Sequence, residues 1–200
     1  MMRYFIVVTF FVIVLGGCAK VVPAVSEYRI HQNTYEFVFS SHGCKEKSLK
    51  VGQAFSETSL MNLDIMYGIG EQTQYRYTQS KWAQTPNAAI TAEIVRFLQK
   101  TDIFASVSAP KSRVKSDYIL ETNIEDFMQY FSADEKSSFV KVSLTFSLLD
   151  TKRNSVIATK SLLIELPSKT LDAQGGAIAL NEALKTLLEQ SGVWLDESCR

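Results

Sequence analysis

Between Val140 and Leu148 every second residue is apolar: Val140, Val142, Leu144, Phe146 and Leu148 alternate with Lys141, Ser143, Thr145 and Ser147. A period of two puts the first set on one face of an extended strand and the second set on the other, whereas a helix would scatter both sets around its axis. The segment is a strand with one dry face, and any fold containing it must cover that face with another apolar surface. The polar stretch Asp150 to Asn154 turns the chain, Val156 to Leu166 returns as the second arm of a hairpin, and Pro167 stops it.

Shorter segments repeat the pattern. Tyr35, Phe37 and Phe39 interleave with Glu36 and Val38, and a turn follows at Ser40 to Gly43. Leu49 and Val51 make a second short strand, and Leu60 to Tyr67 fits strand and helix equally. Tyr75 and Tyr77 share one face of a strand that Trp82 closes. Phe104 to Val107 predicts another strand, ended by Pro110 and a basic loop from Lys111 to Lys115. Tyr118, Leu120 and Ile124 share a face of a further one, interleaved with Glu121, Asn123 and Glu125.

Two segments have helical spacing. Thr85-Pro86 supplies a hydroxyl N-cap and a proline at the position whose amide needs no partner. Ile90, Ile94, Phe97 and Leu98 then form an apolar stripe, with Glu93, Arg96 and Lys100 assigned to the solvent side. Near the C-terminus Leu180, Leu184, Leu187 and Leu188 form a second stripe, with Asp172 or Thr170 as cap and Gly192 as stop. Gly175 and Gly176 weaken its first turn. The expectation is an α+β fold: a mostly antiparallel β-sheet with two amphipathic helices packed on one face, in a single domain over residues 34–200.

The first 33 residues read differently. An apolar run from Tyr4 to Val14 follows Arg3 and closes on Leu15, Gly16, Gly17 and Cys18. It is shorter than the roughly 20 apolar residues of a bilayer span and has the order of a secretory signal peptide. Leu15-Gly16-Gly17-Cys18 looks like a bacterial lipobox, which makes residues 1–17 a signal peptide and Cys18 the lipid-bearing first residue of the mature protein. Residues 18–33 hold Pro23 and no sustained periodicity. They read as a tether reaching on the order of 50 Å if fully extended, at about 3.3 Å per residue.

Export leaves Cys44 and Cys199 as an even pair in a compartment where disulfides persist, and a bond between them is favoured over two free thiols. Such a loop would constrain the unfolded chain by about 4 to 5 kcal/mol. The two cysteines lack the close spacing of a zinc site. The 21 basic and 21 acidic residues cancel, so no overall field draws the protein to nucleic acid or anionic lipid.

No active-site motif survives inspection. Gly68-Ile69-Gly70 continues Glu71-Gln72-Thr73 and lacks the third glycine of a dinucleotide fingerprint. Ser-x-x-Lys occurs three times, at Ser108, Ser112 and Ser138, without its companion elements. His31 and His42 read as solvated loop residues. Glu125 and Asp126, as strand neighbours, should point to opposite faces. The basic loop could meet lipid phosphates or be a solvated loop. Tyr75, Tyr77 and Trp82 read either as core or as an interface patch for protein or lipid. The chain is expected to be no enzyme and to bind no metal and no cofactor.

The run Tyr75-Arg-Tyr-Thr-Gln-Ser-Lys-Trp82, the Pro86 helix, Phe104-Ala-Ser-Val107 and the start Ser116-Asp117-Tyr118-Ile119-Leu120 together resemble the ABC-type transport auxiliary lipoproteins, the PqiC-like family. The likeness spans roughly Tyr35 to Leu188. It implies an envelope lipoprotein that assists an inner-membrane ABC transporter, its permease and ATPase, and a periplasmic MCE-domain protein in moving lipid between the membranes, without catalysis of its own. Homo-oligomers belong to the same expectation. Ala19 in place of an aspartate after Cys18 implies the outer membrane, facing the periplasm. The alternative is a structural or assembly lipoprotein of the outer membrane, of the lipopolysaccharide-assembly or secretion-system type.

Overall fold

The computed structural model describes residues 24–31, 34–35, 44–70 and 72–198. In chain order its strands are β1 (Ser26–Tyr28), β2 (Ser48–Val51), β3 (Phe55–Ser56), β4 (Asp64–Ile69), β5 (Thr73–Trp82), β6 (Ser106–Ser108), β7 (Tyr118–Phe131), β8 (Ser138–Asp150) and β9 (Ser155–Pro167). Helix α1 (Pro86–Lys100) lies between β5 and β6, and helix α2 (Ala173–Ser198) follows β9.

Strand β7 is the spine of the sheet. On one side it pairs antiparallel with β8, which pairs antiparallel with β9. Along its other side β2, β3 and β4 line up in succession, all parallel to it, opposite Tyr118–Leu120, Asn123–Ile124 and Gln129–Phe131. The sheet is therefore mixed, with five of its eight pairings parallel among the described residues, and the mostly antiparallel expectation is corrected. β2, β3 and β4 follow one another along β7 in one direction, β5 turns back from β4, and the chain crosses through α1 before β6 and β7 resume the direction of β2.

The dry face is where the alternation put it. Val140, Val142, Leu144, Phe146 and Leu148 are fully buried, and so are Leu180, Leu184, Leu187 and Leu188 of α2, which packs across β8 and β9. Each such side chain contributes about 1.5–3 kcal/mol of burial. Ile90, Ile94, Phe97 and Leu98 of α1 complete the core against β2 and β6 on the same side of the sheet.

Local expectations were met unevenly. Thr85 does sit at the N-cap of α1, but only its carbonyl takes part, accepting from the Ala89 N–H at 3.0 Å; its hydroxyl makes no capping bond. Phe104 is buried in the bend before β6, so that strand begins two residues late. Asp172 caps α2 through its carboxylate, which accepts from the Gly175 N–H at 2.8 Å. Gly192 does not stop α2, which runs on to Ser198 because Leu195 is still buried against the sheet. In the segment expected to be tether, β1 pairs parallel with β5 and Ile30 enters the core, so the folded domain begins by Ser26. Of the strand expected from Tyr35, residues 36–39 lie outside the described residues, and Tyr35 itself packs edge-on against Phe97 at 5.1 Å.

Candidate functional site

Leu15, Gly16, Gly17, Cys18 and Cys199 lie outside the described residues. The residues after β1 join the domain through both helices. After β1 the His31 N–H donates to Asn181 Oδ1 of α2 at 2.9 Å, and Asn181 Nδ2 donates to the Arg29 carbonyl at 3.1 Å. His31 Nδ1 lies 3.2 Å from Glu93 Oε1, and the Tyr35 hydroxyl donates to Glu93 Oε2 at 2.9 Å. Arg96 also bonds the Glu93 carboxylate. The segment from β1 to Tyr35 is thus fastened to both helices.

Glu93 is fully buried, against its assignment to the solvent side. It stands three residues after Ile90 and four before Phe97, at the flank of the apolar stripe, where a helix still faces the core. A carboxylate there needs donors, and Arg96 and Tyr35 supply them. Burial, then the neighbouring Glu93 charge, pushes the Tyr35 phenol far above its ordinary value. His31 is half-exposed, and its bond to Glu93 makes it part of this junction rather than a solvated loop residue.

The aromatic trio of β5 is divided. Trp82 is a core residue, 2% exposed and 5.8 Å from the Phe127 ring, so it can offer nothing at a surface. Tyr77 is half-buried and donates to Gln129 Oε1 at 2.8 Å; burial raises its phenol well above the ordinary range. Tyr75 is 45% exposed. Between them stands Tyr67 of β4, whose ring centroid is 5.4 Å from Tyr75, 4.6 Å from Tyr77 and 5.5 Å from Phe131. The result is an aromatic stack rooted in the core by Tyr77 and open to solvent at Tyr75. Tyr67 was missed by sequence reading. The β4–β5 hairpin turning at Gly70, whose φ is +66°, places it directly opposite Tyr75.

Glu125 and Asp126 do not point to opposite faces. A β-bulge between Ile124 and Asp126 inserts an extra residue, so both carboxylates leave the sheet on the side away from the helices. Glu125 accepts from Ser143 Oγ and Thr145 Oγ1, while Asp126 accepts from the Tyr130 hydroxyl at 2.7 Å and pairs with Lys141 at 3.6 Å. Burial raises the Asp126 carboxyl, and the bonds to Tyr130 and Lys141 oppose it. Gly68 lies in β4 against the Tyr130 ring and Gly70 in the following turn, so neither cradles a phosphate. Among the described residues no group of three or more His, Cys, Asp or Glu side chains could hold a metal ion, and no helix is long and apolar enough to cross a membrane.

In its fold the chain is similar to protein XCC0632 from Xanthomonas campestris, at 18% identity and a TM-score of 0.75, covering 86% of this chain and 96% of that one. A solved uncharacterized protein matches at 13% identity and a TM-score of 0.66, covering 86% and 99%. A hypothetical protein from Chlamydia trachomatis matches at 12% and 0.50, covering 77% and 98%. At these identities the likeness is one of fold. No curated protein matches the sequence. The family model described as "ABC-type transport auxiliary lipoprotein component" matches residues 43–190, from the turn before β2 to within α2. The chain belongs to that family, as a non-enzymatic, lipid-anchored auxiliary component of an ABC-type transport system in the cell envelope.

Proposed function

We propose that the protein is the outer-membrane lipoprotein of a transporter that moves lipid across the periplasm, held through acyl chains on Cys18 and docking an MCE-domain protein through the aromatic stack that ends at Tyr75. The observation that carries this reading is the family match over residues 43–190, joined to a surface tyrosine whose ring is pre-positioned by Tyr67 and Tyr77. An exposed ring already fixed in place loses little entropy on docking, as partner-binding anchors do. Residues 1–17 would be removed as signal peptide. Ala19 after Cys18 favours the outer membrane, and more than one acyl chain would make the anchorage stable.

A disulfide between Cys44 and Cys199 belongs to the same reading. Cys44 is buried, and α2 runs as far as Ser198, the residue before Cys199. The bond would tie the end of α2 to the turn before β2.

Affinity purification of the full-length lipoprotein from envelopes tests the assignment. An MCE protein and ABC transporter subunits should copurify, and Tyr75→Ala should reduce the yield of the MCE protein without lowering the level of the lipoprotein. Recovery of a lipopolysaccharide-assembly or secretion complex instead would replace this function with an assembly role. Cys18→Ser should abolish acyl labelling; a chain that is still labelled would disprove the lipobox assignment.

A further inference from the structure

The two charge signs balance over the whole chain but not over the molecule. At the end of the sheet where β2 and β7 begin and β8 ends, the loop after β6 closes over an open cleft of about 680 Å³. Lys50, Arg113, Lys115 and Lys152 line it. Its one carboxylate, Asp117, is already engaged: it accepts from the Ser48 N–H at 3.0 Å and the Ser48 hydroxyl at 2.8 Å, and pairs with Lys152 at 3.2 Å. Lys50, Lys111, Arg113 and Lys115 are in no ion pair among the described residues. Between Arg113 and Lys115 stands Val114, 69% exposed.

Unpaired cations flanking an exposed apolar tip are the composition of a segment that lies on an anionic bilayer, with charges among the headgroups and the apolar side chain at the acyl boundary. An acidic protein surface would satisfy the cations but would give the protruding valine no apolar medium to enter. β1 is parallel to β5, β5 antiparallel to β4, and β4 parallel to β7, so β1 runs toward the cationic end, with Ser26 farther from it than Tyr28.

We propose that the loop 109–117 docks on an anionic phospholipid surface, with Arg113 and Lys115 at the phosphates and Val114 inserted between them. This docking does not depend on lipidation at Cys18.

The full lipidated chain, floated in phosphatidylcholine vesicles, should capture a second population of vesicles containing phosphatidylglycerol and not one of phosphatidylcholine alone. Arg113→Gln and Lys115→Gln should each lower capture about fivefold, added salt should weaken it, and Val114→Ser should lower it further. The Cys18→Ser chain, sedimented with the same phosphatidylglycerol vesicles, tests the cleft without the anchor and should show the same dependence on Arg113 and Lys115. Equal capture of neutral vesicles, or indifference to both glutamine substitutions in both assays, would overturn the proposal. It would be overturned equally if the substitutions weakened only the copurification of an acidic protein. A wild-type chain that fails to float with its own vesicles while the unlipidated chain still sediments would remove the anchor assignment and leave the cleft.

Discussion

Replacing Gly176 by alanine sets a local preference against a tertiary contact, and the two predict opposite signs. In the first turns of α2 an alanine is favoured over glycine by about 1 kcal/mol. Against this, a Cβ at residue 176 would lie 2.2 Å from Oε1 and 2.9 Å from Cδ of Gln129. Gln129 is fully buried, accepts from the Tyr77 hydroxyl at 2.8 Å and donates to Ser138 Oγ at 2.9 Å. Either its amide swings away and gives up two buried hydrogen bonds, at about 1–1.5 kcal/mol each, or α2 lifts from the sheet at an overpacking cost of about 1–3 kcal/mol. After the propensity gain, Gly176→Ala should destabilise by up to about 2 kcal/mol, a loss of about 2–4 °C in Tm for each kcal/mol.

Urea unfolding followed through the buried Trp82 measures this, with an unchanged m-value as the sign that both states keep their compactness. A double-mutant cycle makes the cause specific. In a Gln129→Ala background the nearest remaining atom is the Cβ of residue 129 at 3.5 Å, an ordinary contact, so the same Gly176→Ala change should be neutral or stabilising by up to about 1 kcal/mol. If the single variant is more stable than the parent, or if the cycle is additive, the steric argument is wrong.

Other expectations follow from single contacts. Asp172→Ala removes the cap of α2 and should cost about 0.5–2 kcal/mol by chemical denaturation. The Gly175 N–H and the Thr170 hydroxyl hold the Asp172 carboxyl below its ordinary value, so this contribution is present above pH ~4 and is lost as pH falls through the depressed folded value. Acid titration of parent and variant should therefore converge at the acid end. Asp126 has the opposite sign: with its carboxyl raised by burial, the charged form is the unfavourable one. Asp126→Asn should stabilise the fold at neutral pH, by a margin that shrinks as pH falls and the parent aspartate takes up its proton. Cys44→Ser should lower stability by about 4 to 5 kcal/mol more under oxidising conditions than under strong reductant; an equal effect in oxidant and reductant would disprove the disulfide.

How much of this was legible in the sequence depended on how local the cause was. The strand of Val140 to Leu148, the Pro86 helix and the leucine stripe of α2 are written in side-chain periods, and all three formed. Strand direction is not written that way. Leu49 and Val51 alternate identically whether their neighbour runs with them or against them, so the parallel alignment of β2, β3 and β4 on β7 could be known only from the crossover. The bulge at Glu125 is similarly silent, because one extra residue inverts the facing rule without altering the composition. Gly175 and Gly176 look like helix breakers in one dimension. In three they are the clearance that lets α2 meet Thr170 and Gln129. For the aromatic trio, the alternation found Tyr75 and Tyr77 on one face but could not show that Trp82 ends inside the core.

The arrangement around β7 also sets the order in which the molecule can be assembled. Residues 118–198 hold a meander and its covering helix in unbroken sequence, so their contacts close over short loops. Residues 48–69 find their partners in β7, across a separation that includes β5, α1 and β6. Loop closure of that length comes late, after the surface it pairs with exists. β1 pairs with β5 and so comes later still. A nascent chain carrying only its first hundred residues has edges and no spine, and the strand nearest its N-terminus is the last part to find its place.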